Sequence, residues 1–207
     1  MKIGLLIFFI LSLLSVHGQT EQTYQVRTIA FYNLENLFDT KNDTLTFDDD
    51  RTPEGKDNWT DERYQRKLHN MAQTLSEIGY SKTGSAPDII GICEVENIEV
   101  IQDLLVSNSL KNLGYDIVHY DSPDERGIDV ALLYKENAFL PASYASHRLI
   151  LMDENEERNY TRDQLVVGGR LDNEQMYFIV NHWPSRSGGE ARSEPNRLAA
   201  AHLNKRI

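Results

Sequence analysis

The chain has 207 residues, enough for one domain with a full core or for most of a larger one. Its net charge of −11 disfavours tight nonspecific binding to long nucleic acid, because neutralising phosphates takes Lys and Arg, but leaves open a phosphoester bridged by a metal ion. The lone Cys93 excludes an internal disulfide and, set in an apolar strand, reads as a small core residue rather than a nucleophile.

At the N-terminus Lys2 precedes an apolar run over residues 3–16, and small or polar residues follow at His17-Gly18-Gln19, the layout of a secretory signal peptide. A membrane anchor would need roughly 20 apolar residues, so cleavage near Gly18 is the better reading. Residues 1–18 are expected to be the signal peptide and 19–25 a short linker. The mature chain is then secreted or periplasmic, with no integral membrane segment.

Residues 26–32 read as a strand, and residues 33–59 as a long polar loop containing Asp48-Asp49-Asp50. That triplet lacks the Gly and Glu spacing of a calcium loop and is expected to be solvated. Thr60 suits a helix N-cap, and Tyr64, Leu68, Met71, Leu75 and Ile78 then fall on one helical face before Gly79. Residues 88–95 form an apolar strand covered on both faces, followed by a helix over 98–113 that stops at Gly114. Strands are expected at 115–120, 128–134 and 144–152, then a hairpin of 164–171 and 175–181 turning at Asp172-Asn173. Helices come early and hairpins late, the order of a mixed α/β protein. The closing Ala199-Ala200-Ala201-His202-Leu203-Asn204-Lys205-Arg206-Ile207 reads as a helix cut off mid-pattern, with no stop signal after its last apolar residue, so the chain is expected to be truncated. Arg186, Arg192, Arg197, Lys205 and Arg206 cluster here, as a solvated helix face or as a local phosphate-facing patch.

Three of the apolar stretches end in polar residues instead of turn formers: Ile29-Ala30-Phe31-Tyr32-Asn33-Leu34-Glu35, Ile89-Ile90-Gly91-Ile92-Cys93-Glu94, and Tyr177-Phe178-Ile179-Val180-Asn181-His182. Together they point to one polar site at the rim of a sheet. A carboxylate ending an apolar strand, as Glu94 does, costs desolvation energy unless it is paired or binds a cation. Mg²⁺ keeps several waters and needs only one or two protein carboxylates, so it suits such a position as well as a salt bridge does. His182, where a strand opens into Trp183-Pro184-Ser185, can donate to or accept from a phosphate oxygen near neutral pH, although a histidine so placed is, taken alone, more often structural.

In order along the chain, Ile29-Ala30-Phe31-Tyr32-Asn33, Gly91-Ile92-Cys93-Glu94-Val95-Glu96-Asn97, Arg126-Gly127-Ile128-Asp129-Val130-Ala131-Leu132-Leu133 and Val180-Asn181-His182-Trp183 resemble strands of the endonuclease/exonuclease/phosphatase superfamily. The resemblance covers residues 26–207 and implies a DNase I-like four-layer α/β sandwich, incomplete at its C-terminus. It implies that Glu94 binds Mg²⁺ or Mn²⁺, with Glu35 as a second ligand candidate. It also implies that Asn33 positions the phosphate or a metal-bound water and that His182 contacts the scissile phosphate. Asn181 neighbours the catalytic residues without an assigned role. Arg126 either orients substrate or pairs with Asp121, Asp124 or Asp129. The substrate would be a phosphoester, either nucleic acid or a small phosphorylated molecule, split by metal-assisted attack of water. The family pattern continues after the His strand with an Asp-x-Asn strand end and an Asp-His pair, and no Asp follows His182 in this sequence. Asp153-Glu154-Asn155 has the first spacing but precedes His182 in a charged stretch and reads as a loop. The competing expectation is therefore a noncatalytic secreted binding module that kept the fold.

Overall fold

The computed structural model describes residues 24–153 and 155–207. The expected signal peptide and most of the linker lie outside these residues. Among the described residues no helix is long and apolar enough to cross a membrane.

Among the described residues nine strands and four α-helices follow in the order β1 (Ile29–Leu37), α1 (Asp61–Glu77), α2 (Tyr80–Thr83), β2 (Ile89–Val95), α3 (Ile98–Leu105), β3 (Tyr115–His119), β4 (Asp129–Lys135), β5 (Phe139–His147), β6 (Leu151–Met152), β7 (Arg158–Asn159), β8 (Gln164–Leu171), β9 (Glu174–Val180) and α4 (Glu190–Arg206). The first sheet has the order β1-β2-β4-β3 and the second β5-β8-β9, while β6 and β7 make a small ribbon. Only β1 and β2 run parallel, joined through α1; the other pairs are antiparallel.

Central strand β2 explains the layering. Its alternate residues Ile90, Ile92 and Val95 pack with Tyr64, Leu68 and Leu75 of α1 and with Val100, Ile101 and Leu104 of α3. On its other face, Ile89 and Cys93 join Leu165, Val167 and Val180 of the second sheet. Helices, first sheet and second sheet are thus three packed layers of the expected four, with β2 covered on both faces as its apolar run requires. On the outer face of the second sheet, Leu140, Tyr177 and Ile179 are exposed. Arg27 ties the sheets together at one end, pairing with Asp88 at 3.1 Å and Asp172 at 2.6 Å.

Several expected boundaries shift for identifiable reasons. The first strand begins at Ile29 and continues through Leu37 into the stretch expected to be loop, since a bulge keeps Leu34 and Leu37 in the core. The helix after β2 ends at Leu105, eight residues early, where Ser107 and Asn108 favour turns and the chain continues as hydrogen-bonded turns to Leu113. The strand expected over 144–152 is two. It starts at Phe139, tolerates Pro141 on a sheet edge, and breaks where the Leu149 N–H turns to the Asp163 carboxylate, 3.3 Å away. The last helix starts at Glu190, with Pro195 inside it; Ser193 Oγ donates to Gly189 O at 2.8 Å and holds the first turn. Thr60 occupies the N-cap position without a side-chain cap. Asp48 is buried, contrary to the expected solvated triplet, because its Oδ2 accepts the Asp43 N–H at 3.0 Å and pulls it inward. Asp49 and Asp50 stay exposed.

Candidate metal and phosphate site

Glu94 leaves the sheet through a bulge. The register of β2 shifts between Cys93 and Val95 against β4, and that of β1 shifts between Asn33 and Leu37 against β2. Glu94 has φ 59°, and Glu35 and Asn36 have φ 54° and 58°, left-handed values that residues with a Cβ adopt at a cost. Simple alternation would put Glu94 on the helix side of the sheet, but Val95 takes that place. The bulge turns the carboxylate out to the rim, where the sheets part. There its Oε2 accepts the Asn36 N–H at 3.1 Å and its Oε1 lies 3.2 Å from His182 Nε2.

His182 reaches that point because β9 ends at Val180, whose side chain is locked in the inter-sheet core. Burial, reinforced by the cation of Arg162, holds the imidazole below its usual value despite the nearby Glu94 carboxylate. The contact is therefore one of neutral imidazole with carboxylate at neutral pH. Nδ1 of His182 and Oδ1 of Asn181 are both buried without a hydrogen-bond partner among the described residues.

A second set of residues supports His182 from behind. Arg162 is buried; its Nη1 bonds Asp124 Oδ2 at 2.9 Å and its Nη2 donates to the carbonyls of His182 at 3.0 Å and Trp183 at 3.3 Å. Asp124 Oδ1 in turn accepts the Arg126 N–H at 3.1 Å and faces Arg126 Nε at 3.4 Å. Arg126 thus takes Asp124 as its turn partner and at the same time lines the cavity that opens over Glu94 and His182. That cavity has a volume of about 570 Å³, within the range of small-molecule sites, and Arg162 and Arg192 line it as well.

The other expected residues stand apart. Asn33 is exposed and spends its Oδ1 on the Glu35 N–H at 2.7 Å, which stabilises the bulge and leaves its amide NH₂ free. Glu35 is exposed, and its backbone carbonyl accepts from Lys67 Nζ; its carboxylate does not line the cavity. Asn36 and Arg162 were not among the expected site residues, and Asp124 was expected only as a turn partner of Arg126, whereas Arg192 belongs to the basic cluster expected as a solvated face or a phosphate-facing patch. Asn36 contributes only a backbone N–H, which no residue type announces, and Arg162 lies between Thr161 and Asp163 without a strand-end pattern. Cys93 is buried and its thiol is pushed up to about 12, an inert core position as expected.

Among the described residues, one group of His and acidic side chains lies close enough to share an ion, and it is elsewhere: His119, Asp121 and Asp129. Asp129 already accepts Ser122 N–H at 2.8 Å, Ser122 Oγ at 2.6 Å and His119 Nε2 at 3.0 Å, so the group clasps the turn before β4. At Glu94 the fit to a hard divalent ion is of a different kind. One partly exposed carboxylate faces an open polar cavity, the donor set of an ion that keeps most of its waters.

The family model for the endonuclease/exonuclease/phosphatase family matches residues 28–207. No curated protein matches the chain. Among solved structures, an endonuclease/exonuclease/phosphatase family protein from Bacteroides thetaiotaomicron is similar at a TM-score of 0.53 with 15% identity, over 89% of this chain and 57% of its own. One from Bacteroides vulgatus gives 0.51 with 16% identity, over 89% and 60%. A mannosyl-6-phosphatase from Bacteroides thetaiotaomicron gives 0.50 with 15% identity, over 88% and 58%. The chain thus spans a little under two thirds of these structures, and the likeness is one of fold. With a match over nearly all of its described length and the mixed α/β layers that fold requires, the chain belongs to the endonuclease/exonuclease/phosphatase family.

Proposed function

We propose that this chain is part of a metal-dependent phosphoesterase that hydrolyses a phosphate ester by attack of water. The observation that carries the reading is the approach of Glu94 to His182, 3.2 Å, at a cavity lined by Arg126, Arg162 and Arg192. Glu94 would hold Mg²⁺ or Mn²⁺, which when bound supplies Lewis-acid stabilisation of charge on the phosphate oxygens and the leaving group. His182, neutral and free to turn from the carboxylate once that is engaged, would donate a hydrogen bond to the phosphate. Arg126 would orient the ester from across the cavity. Asn33 pairs with Cys93 across the β1–β2 register, one position from Glu94, which supports a role for its amide at the same centre. Asn181 offers a buried, unpaired Oδ1. Glu35 is the weakest member of the set, since nothing aims its carboxylate at Glu94. Secretion, argued from residues 1–18, belongs to the same proposal and is tested by sequencing the N-terminus of the exported protein.

Isothermal titration of the chain with Mn²⁺ and Mg²⁺ tests the metal centre. One ion per chain is expected, with binding lost in Glu94→Gln and kept in Glu35→Gln. Unaltered binding in Glu94→Gln would remove the basis of the reading.

A further inference from the structure

The bulge that turns Glu94 outward lies against the bulge in β1, and a side chain from α1 grips the second of these. Lys67 is half-buried, with its ammonium 5.7 Å from the centre of the Trp59 ring. Trp59 is itself fixed, its Nε1 donating to Phe38 O at 3.0 Å. From that seat Lys67 Nζ donates to two successive carbonyls, those of Glu35 and Asn36, the second at 3.2 Å. Both partners are backbone oxygens rather than carboxylates, so the cation is spent on the conformation of the chain.

The two residues it grips are those with left-handed φ of 54° and 58°, a conformation that persists only where its surroundings impose it. Asn33 Oδ1 holds the same stretch from the other side through the Glu35 N–H at 2.7 Å. The Glu35 carbonyl and the Asn36 N–H belong to one peptide group, planar and trans, so they point in opposite directions. Lys67 takes the carbonyl end, and the N–H end donates to Glu94 Oε2 at 3.1 Å. Cation, peptide dipole and carboxylate thus form one chain of hydrogen bonds in which each polarises the next. A peptide turned over would set its carbonyl oxygen against the carboxylate instead. With Oε2 taken, Oε1 is the oxygen beside His182.

We propose that Lys67 is a positioning residue for Glu94: it fixes the peptide between Glu35 and Asn36 so that Oε2 is held from behind and Oε1 is the oxygen offered to a divalent ion. The inference rests on the reading of Glu94 as a metal ligand, and Lys67 itself touches neither ion nor substrate. Removing a group that orients a ligating side chain weakens metal binding by about tenfold to a hundredfold. Charge alone gives the opposite sign, because loss of a nearby cation favours a divalent ion. The direction of the change therefore separates positioning from simple electrostatics.

Amide hydrogen exchange of the isotope-labelled whole chain, with chelator present, tests the grip without any metal. In Lys67→Met the Asn36 amide should exchange roughly tenfold faster or more, as loss of its hydrogen bond implies. The Ile92 amide in the middle of β2 should keep its parental rate, which separates a local change from a weakened fold. Lys67→Arg, whose guanidinium can also donate to two carbonyls, should restore slow exchange at Asn36. Calorimetric titration with Mn²⁺ should then show binding about tenfold weaker or more in Lys67→Met and near parental in Lys67→Arg. Lys67→Gln takes the place of Lys67→Met should the latter not fold. Parental exchange at Asn36 in the folded variant, or Mn²⁺ bound as tightly as by the parent or more so, would overturn the proposal. A parent chain that binds no Mn²⁺ would contradict the metal reading instead, and the exchange rates, measured without metal, would still decide whether Lys67 holds Glu94 in place.

Discussion

Arg162 is the residue on which the position of His182 depends most. One guanidinium links a buried carboxylate to two consecutive carbonyls at the strand end, so its loss both frees the loop and leaves Asp124 under-paired. Arg162→Met should cost about 3–5 kcal/mol, the usual cost of breaking a buried ion pair from one side. Urea unfolding measures it, and Arg162→Met with Asp124→Leu should recover part of the loss. The His182 imidazole should also titrate higher in Arg162→Met, because a neighbouring cation that lowers its pKa has gone. Glu96 makes a second residue-scale prediction. Burial, with Asp39, Asp48 and Asp43 adding their charge, pushes its carboxyl up to about 7 from an ordinary 4.5. The folded state then holds a proton that the unfolded state releases, so this contribution to stability is full below 4.5 and is lost as pH rises through about 7. Without divalent ions, Glu96→Gln should be more stable than the parent at pH 8 and should lose that advantage at pH 4. An unchanged difference in melting temperature across that range would show that Glu96 ionises as an ordinary exposed carboxylate.

At the scale of the element, β2 decides most of the structure, and it was also the most legible. Its apolar run, the hairpin of β8 and β9, and the helical face of Tyr64, Leu68 and Leu75 each carry one dominant period, and the expected elements match. The end of α3 and the break between β5 and β6 were not legible, since the first is set by local turn formation at Ser107 and Asn108 and the second by one carboxylate, Asp163, accepting a backbone N–H. Glu94 and His182 could be picked out because a charge or imidazole ending an apolar run is costly. The bulge that turns Glu94 toward His182 could not, because it comes from the register of three strands. Burial of α3 against β2 predicts a further cost: Ile101→Ala, a fully buried side chain between helix and sheet, should lose about 2–5 kcal/mol in chemical denaturation. A loss below 1 kcal/mol would place α3 outside the core.

The whole molecule joins an acidic surface to one cavity with cations gathered around a carboxylate. The helix, sheet, sheet layering brings the ends of β2 and β9 together at a rim, and the loop from His182 to α4 closes the cavity's far side. The central claim is that Glu94 and His182, 88 residues apart in sequence, serve one centre with a divalent ion at Glu94. Paramagnetic broadening by substoichiometric Mn²⁺ reads this directly through the imidazole resonances of the six histidines. His182 should broaden first in the parent chain and stay sharp in Glu94→Gln, while His69 on the exposed face of α1 is unaffected. Preferential broadening of His119, beside Asp121 and Asp129, or no selective broadening of His182, would contradict it.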